Sequence, residues 1–304
     1  MKTLIYSDRV DFTRELLEAA ALIGEAVVVV VNNESNAQQI AGMGSEVIHY
    51  RNEDVAIADT LVMAKVITEA AKQSEAEVIL LGSDRRGKEL AGRVSAMLGA
   101  GCLTDVNGIS IEDGEIICQR NAFGGATVAK QTILTQYKVI AIAAKTFIGN
   151  FISGQGTIKE LQFSAVPSVK VLSCTEKPKD TVDIGSADVI IAIGQGVEDQ
   201  NRVADVEAIA AALGGVAACS KPVATDRKWF SEDRIIGLSG ASCKPSLAIL
   251  FGISGQVQFS VGIRDAKKVI TINTDDQADM VRMSDYFLVA DADETIQALK
   301  TALR

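Results

Sequence analysis

The sequence predicts an α/β protein of two doubly wound domains, the first a parallel sheet with added antiparallel strands. Three observations point there. Short apolar runs alternate with helix-periodic stretches over roughly the first hundred residues. The alternation gives way to period-two runs near Gly101 and restarts beyond a charged, proline-bearing segment. The length, 304 residues, is about twice a common domain of roughly 150. Strands joined by intervening helices are parallel, because a crossover returns the chain to the same end of the sheet.

Thr3-Leu4-Ile5-Tyr6 reads as the first strand. Asp11 to Ile23 carries Phe12, Leu16, Leu17, Ala20 and Ile23 at helical spacing and closes on Gly24. Ala26 to Val31 is an alanine and five valines, the pattern of a strand covered on both faces. A short helix follows near Asn36 to Ala41, then a strand at Glu46 to His49. A helix over Val55 to Lys72, a strand at Val78 to Leu81 and a helix over Gly87 to Leu98 complete the alternation. Ile109-Ser110-Ile111 and Ile116-Ile117-Cys118 flank Asp113-Gly114, a hairpin turn signal. Gly124-Gly125 separates a further pair, and Val139 to Ala143 reads as a buried strand. Thr175 to Asp180 is the linker candidate, giving domains 1–182 and 183–304. In the second domain, strands are expected at Val189 to Ile193, Val216 to Cys219, Ile235-Ile236, Leu247 to Phe251, Val269 to Ile272 and Phe287 to Val289. Helices fit Val197 to Leu213, Gly255 to Val261, Gln277 to Met283 and Asp293 to Leu303.

Composition excludes several functions. Apolar residues are 48%, charged residues 23% and prolines only 4, which suits packed cores. A net charge of −9 argues against a general nucleic-acid binder, which needs a basic face to displace counterions. A small anionic ligand remains open, because backbone amides and one or two cations hold a phosphate locally. The apolar run Ala26 to Val31 is far short of the ~20 residues of a membrane span. No signal peptide is expected before Ser7-Asp8-Arg9. Five cysteines with no Cys-x-x-Cys spacing read as reduced thiols, so a cytoplasmic protein is expected. The single histidine, His49, ends a strand-like run and is read as a partly buried or surface strand cap. One histidine rules against a Ser-His-Asp triad or a multi-histidine metal centre, so any redox chemistry belongs to a cofactor.

In an open parallel sheet, ligands bind at the carboxyl ends of the strands. Small and polar residues cluster there in the second domain. Gly194-Gln195-Gly196 is a structural turn or a phosphate cradle; Asp199 stands where a dinucleotide fingerprint has its third glycine. Ser220-Lys221-Pro222 and Gly237-Leu238-Ser239-Gly240 are polar turns or ligand wraps. The strongest signal is the strand Leu247 to Phe251 running into Gly252-Ile253-Ser254-Gly255, with Ser254 placed as a helix N-cap whose free amides favour an anion. Asn273 and Asp291 complete a ring of strand-end polar groups, each also readable as a helix cap. Trp229-Phe230 is a ligand or partner contact, or an aromatic anchor; Arg85-Arg86 is an anion contact or a solvated helix start.

These residues carry a resemblance. Gly252-Ile253-Ser254-Gly255-Gln256-Val257-Gln258, Ile272-Asn273-Thr274-Asp275 and Ser284 to Asp291 resemble the FAD-binding domain of the alpha subunit of electron transfer flavoproteins. Ser220-Lys221 and Gly194-Gln195-Gly196 lie in the matching order. In the first domain, Arg85 to Leu98, Leu103-Thr104-Asp105-Val106 and Phe123-Gly124-Gly125 are similar to the family's pattern. The short version found here looks like the bacterial branch linked to nitrogen fixation and carnitine-type reduction. The resemblance implies a Rossmann-like second domain that holds FAD and a first domain that packs on a beta subunit in a heterodimer. It implies FAD contacts at Gln195, Ser220, Ile236, Gly237, Leu238, Ser239, Ser254, Gly255, Gln256, Val257, Gln258, Phe259, Asn273, Asp291 and Ala292. It also implies an acyl-CoA dehydrogenase-like or reductase redox partner, and an electron carrier rather than an enzyme on its own.

Three positions depart from the family pattern. Gln195 stands where arginine is usual, Leu238-Ser239 where glutamine and threonine are usual, and Phe259 where histidine is usual. The usual arginine and histidine favour the anionic reduced flavin, and neither Gln195 nor Phe259 is charged. A charge-assisted hydrogen bond is worth about 1.5–3 kcal/mol, or roughly 65–130 mV for one electron, so a lowered first reduction potential is expected. A degenerate structural subunit with weak or lost FAD binding is the alternative reading. A nicotinamide-dependent oxidoreductase is disfavoured by the incomplete glycine fingerprint and the lack of a catalytic histidine.

Overall fold

The computed structural model describes residues 1–125, 127–147, 153–175 and 182–303. The chain forms two compact units, Met1–Cys174 and Thr175–Arg304. The linker candidate, apart from Thr175, lies outside the described residues.

The first unit runs β1 (Lys2–Tyr6), α1 (Val10–Ala21), β2 (Glu25–Val31), α2 (Glu34–Ala41), β3 (Glu46–Tyr50), α3 (Thr60–Gln73), β4 (Val78–Gly82), α4 (Arg85–Leu98), β5 (Gly101–Glu112), β6 (Glu115–Ala122), β7 (Thr127–Gln131), β8 (Lys138–Ile142) and β9 (Ile158–Glu160). These strands form one nine-stranded sheet in the order β7-β6-β5-β8-β4-β1-β2-β3-β9. The valine run of β2 shows why both faces are covered. Val27, Val29 and Val31 enter the core under α3 and α4, while Val28 and Val30 enter the core under α1 and α2. The antiparallel strands β5, β6 and β7 extend the same sheet at one edge, as expected. Asp113 (φ +51°) and Gly114 (φ +83°) close the hairpin in the left-handed turn that Asp-Gly favours.

Three features of this unit were not expected. The strand β9, Ile158-Lys159-Glu160, pairs parallel with β3 and is exposed throughout, so it carries no apolar alternation to reveal it. His49 does not cap a strand at the surface; it lies inside β3, 2% exposed. The helix α3 begins at Thr60, not Val55, because the Asp59 carboxylate caps it by accepting from Val62 N at 3.1 Å. The same carboxylate accepts from Ser168 N and Oγ at 2.6 Å and Val169 N at 3.0 Å, pinning a distant segment to the helix start.

The second unit runs β10 (Val189–Ile193), α5 (Arg202–Ala212), β11 (Val216–Cys219), α6 (Lys221–Thr225), β12 (Leu247–Phe251), α7 (Val257–Ser260), β13 (Val269–Asn273), α8 (Asp279–Arg282), β14 (Tyr286–Val289) and α9 (Ala292–Ala302). Its sheet is parallel throughout, in the order β11-β10-β12-β13-β14. The sixth strand expected at Ile235-Ile236 is absent: these residues make only isolated bridges, Cys219↔Ile235 and Ile236↔Ala241. Two residues are too few for a ladder, and the Ile236 N–H donates to Cys219 O at 3.0 Å beyond the end of β11. The strand order reverses between β10 and β12, which makes their carboxyl ends the switch point of the sheet.

The outer strand β14 is bare. Tyr286, Phe287, Leu288 and Val289 are all half exposed or more. Beside it, Ile249, Phe251, Ile270, Ile272, Leu288 and Leu299 line an apolar groove of about 400 Å³ against α9. Among the described residues, no helix is long and apolar enough to cross a membrane.

Candidate functional site

The loops leaving β10, β11 and β12, and the ends of β13 and β14, share one rim because all five strands are parallel. Direct hydrogen bonds tie these loops together. Gly196 N donates to Gly252 O at 3.0 Å, Ser220 N to Ile193 O at 3.0 Å and Leu238 N to Gln258 O at 2.8 Å. Asn273 Nδ2 donates to Ile253 O at 3.0 Å, and Met280 N to Ser254 O at 3.1 Å.

Glycine permits the closest of these approaches. A Cβ on Gly196 would stand 2.8 Å from the Gly252 Cα, and Gly252 itself adopts φ +61°. The two glycine loops therefore cross backbone to backbone at the switch point. Gly194 and Gly196 serve this crossing, which is the structural-turn reading of that cluster, and the amides of the β12 loop are left over.

Those amides are the distinctive feature of the rim. Among the described residues, the backbone N–H groups of Ile253, Ser254, Gly255 and Gln256 have no hydrogen-bond partner. Val257 and Gln258 are the first residues of α7, where N–H groups have no partner within the helix. Six consecutive residues at the end of the central strand thus keep an N–H with no partner. The Gln195 N–H, at the end of β10, is also unpartnered.

The helix expected here is corrected in two ways. Ser254 is not its N-cap; Gln256 is, because Gly255 at φ +86° turns the chain and delays the helix. The helix has only four residues, so its macrodipole is slight and the donors are the amides themselves.

The side chains sort by exposure. Gln195, Leu238, Ser239, Ser254, Gln256, Val257, Gln258 and Asp291 are exposed, while Ser220 and Asn273 are half-buried. Leu238 at 68% and Val257 at 61% are large apolar groups standing free among polar ones, a surface suited to the face of a flat ring. Ile236, Phe259 and Ala292 are buried in the core, so these expected contact residues offer no side chain to the rim. Phe259 packs with Ile236, Leu250, Ile253 and Met280 beneath the rim and does not plug it. Asn273 is spent on bracing, donating to Ile253 O and accepting from Asp275 N at 3.1 Å. Asp291 caps α9 through Oδ1, accepting from Glu294 N at 2.9 Å.

Cations are few. Lys221 Nζ lies 3.5 Å from Ser239 Oγ. Arg227, which carries no site signal in the sequence, donates through Nη2 to Gln195 O at 2.9 Å and through Nη1 to Val197 O. Nothing in its local sequence reveals this, because its acceptors are carbonyls of another loop. Its neighbour Trp229 is half-buried against the core and Phe230 is buried in it, which is the anchor reading of that pair. The Cys219 thiol is buried at the end of β11, where burial pushes its pKa up to about 12, so it is no nucleophile.

Comparison with known proteins agrees with this architecture. The electron transfer flavoprotein domain matches residues 8–166, and the electron transfer flavoprotein FAD-binding domain matches residues 183–264. The chain belongs to the electron transfer flavoprotein family, as an alpha subunit. It is 30% identical to Protein FixB of Salmonella typhimurium over 306 residues, covering 98% of this chain and 97% of that protein. It is 29% identical to Protein FixB of an Escherichia coli O6:K15:H31 strain over 307 residues, with the same coverage. Family membership suggests a flavin cofactor and implies a beta subunit and redox partners. The FAD-binding match spans Gln195 to Phe259 and ends before Asn273 and Asp291. In this family the rim has the chemistry a flavin nucleotide asks for: amide donors for phosphate, apolar faces for a ring and side-chain amides and hydroxyls for sugar oxygens.

Proposed function

We propose that this electron transfer flavoprotein alpha subunit binds FAD on the carboxyl-side rim of its second unit and relays electrons between an acyl-CoA-type dehydrogenase or reductase and a second redox partner. The observation that carries the reading is the run of six unpartnered amides from Ile253 to Gln258 at the switch point. These amides would hold the pyrophosphate, as helix starts and glycine turns hold phosphate elsewhere. Leu238 and Val257 would cover a face of the ring system and exclude water from it. Gln195, Ser220, Ser239, Ser254, Gln256 and Gln258 would donate to or accept from its polar edge and the ribityl hydroxyls. Asp291 keeps its Oδ2 for a ribose hydroxyl, since only Oδ1 is used in capping α9. The backbones of Ile236, Gly237, Gly255, Phe259 and Ala292 would complete the shell, and Asn273 would act by holding Ile253 in place. Bound FAD supplies the hydride and single-electron chemistry; the protein binds, orients and shields.

The domain roles follow. Residues 183–304 would carry the cofactor, and residues 1–182 would pack on the beta subunit. A cytoplasmic location suits this role. The test is co-expression with a beta subunit and a count of flavins released per heterodimer, read near the ~450 nm flavin band. Flavin that is retained, and lost when Gly255→Ala drives a Cβ to 2.2 Å from Met280 N, supports the rim. A folded, colourless heterodimer that takes up no FAD supports the degenerate-subunit reading, which the uncharged Gln195 and the buried Phe259 favour.

A further inference from the structure

We propose that Arg227 is a positioning residue for the cofactor rim, holding the β10 loop in its binding conformation and placing a fixed positive charge beside it. The inference rests on the rim assignment above.

The loop is locked one peptide at a time. The Gln195–Gly196 peptide gives its carbonyl to Arg227 Nη2 at 2.9 Å and its N–H to Gly252 O at 3.0 Å. The Val197–Glu198 peptide gives its carbonyl to Arg227 Nη1 and its N–H to Asp293 Oδ2 at 3.0 Å. Gly194 O accepts from Val197 N at 3.3 Å. With these groups spent, the Gln195 N–H is the donor the loop has left, at the switch point where a ligand binds. One guanidinium fixes both carbonyls because its donors lie in a rigid plane; a lysine ammonium has no such fork.

Arg227 is itself held. Its guanidinium carbon sits 4.7 Å from the centroid of the Trp229 ring. Trp229 N donates to Val223 O at 3.1 Å, and the ring packs against the core. Between them Lys228 adopts φ +56°, a left-handed conformation that costs energy in a residue with a side chain. The loop keeps that strain, and the result is a stacked, half-buried cation facing a neighbouring loop. A guanidinium stays protonated at every working pH. A ligand that gains electrons becomes more negative, so this charge favours its reduced form.

The experiment uses the alpha–beta heterodimer stripped of flavin. FAD is titrated back into wild type, Arg227→Gln and Arg227→Lys, and the flavin midpoint potential is then measured for each. Arg227→Gln is expected to bind FAD about tenfold or more weakly and to shift the midpoint to lower potential. Arg227→Lys is expected to lose affinity but keep most of the potential, because the charge survives and the fork does not. An Arg227→Gln protein with wild-type affinity and potential overturns the inference while leaving the rim assignment intact. Should Arg227→Gln fail to fold, Arg227→Lys decides: wild-type affinity overturns the proposal, and weakened affinity supports it. A wild-type heterodimer that takes up no FAD overturns the rim assignment and this inference together.

Discussion

Asp59 is 1% exposed and charged, a combination that survives only with full hydrogen bonding. Burial alone would raise its pKa, but the bonds from Ser168, Val62 and Val169 together outweigh burial and hold it below the ordinary carboxylate value. A lowered folded pKa means that its stabilisation is present above the unfolded value near 3.8 and is lost as pH falls through the folded value. Asp59→Ala should cost about 2–4 kcal/mol in urea denaturation at neutral pH, because it removes a helix cap and strands three backbone donors. His49 titrates in a nearer range. Burial first, then Arg51, lowers its pKa below 6.5. The folded state thus prefers the neutral ring, and stability should fall as pH drops below 6.5 towards the folded value. His49→Phe should flatten that slope in melts taken across roughly pH 5–8, since no other side chain ordinarily changes charge there.

At the scale of elements, α5 and α9 are stapled by one buried carboxylate. Asp205, 9% exposed, accepts from Lys300 Nζ and from Arg202 Nη1 at 2.6 Å. The Lys300 hydrogen bond outweighs burial and, with Arg202, holds its pKa low. Asp205→Ala should destabilise by about 1–3 kcal/mol, because it takes the partner from Lys300, while Arg202 keeps Asp199 at 3.2 Å. The glycine crossing is a second element-scale device. Gly252→Ala should separate the β10 and β12 loops, lowering both melting temperature and FAD retention, by about 1–3 kcal/mol in stability. Much of this scale could be read from the chain. The valine run of β2 announces a strand buried on both faces, and four of the five parallel strands of the second unit are apolar runs that stop abruptly at glycine or a polar residue. What escaped lacked a local pattern. Ile158-Lys159-Glu160 pairs with β3 without burying a face, Ser254 looked like a cap until Gly255 turned the chain, and Ile235-Ile236 were apolar for the core rather than for a ladder. The rim was legible as a set of strand ends. Its free amides and the role of Arg227 were not, because both depend on which bonds other loops have already taken.

For the molecule as a whole, each unit has its own apolar clusters on both faces of its own sheet. Calorimetry should resolve separate transitions, and Asp205→Ala should move only the one belonging to the second unit. The bare strand β14 bears on how the chain behaves when crowded with its own copies. Its four residues present an unsatisfied ladder edge and an oily face at once. The chain should self-associate through this edge as concentration rises, visible by light scattering, and Leu288→Lys should suppress this. How concentrated the chain can be held before copies pair strand to strand is a limit written into that edge.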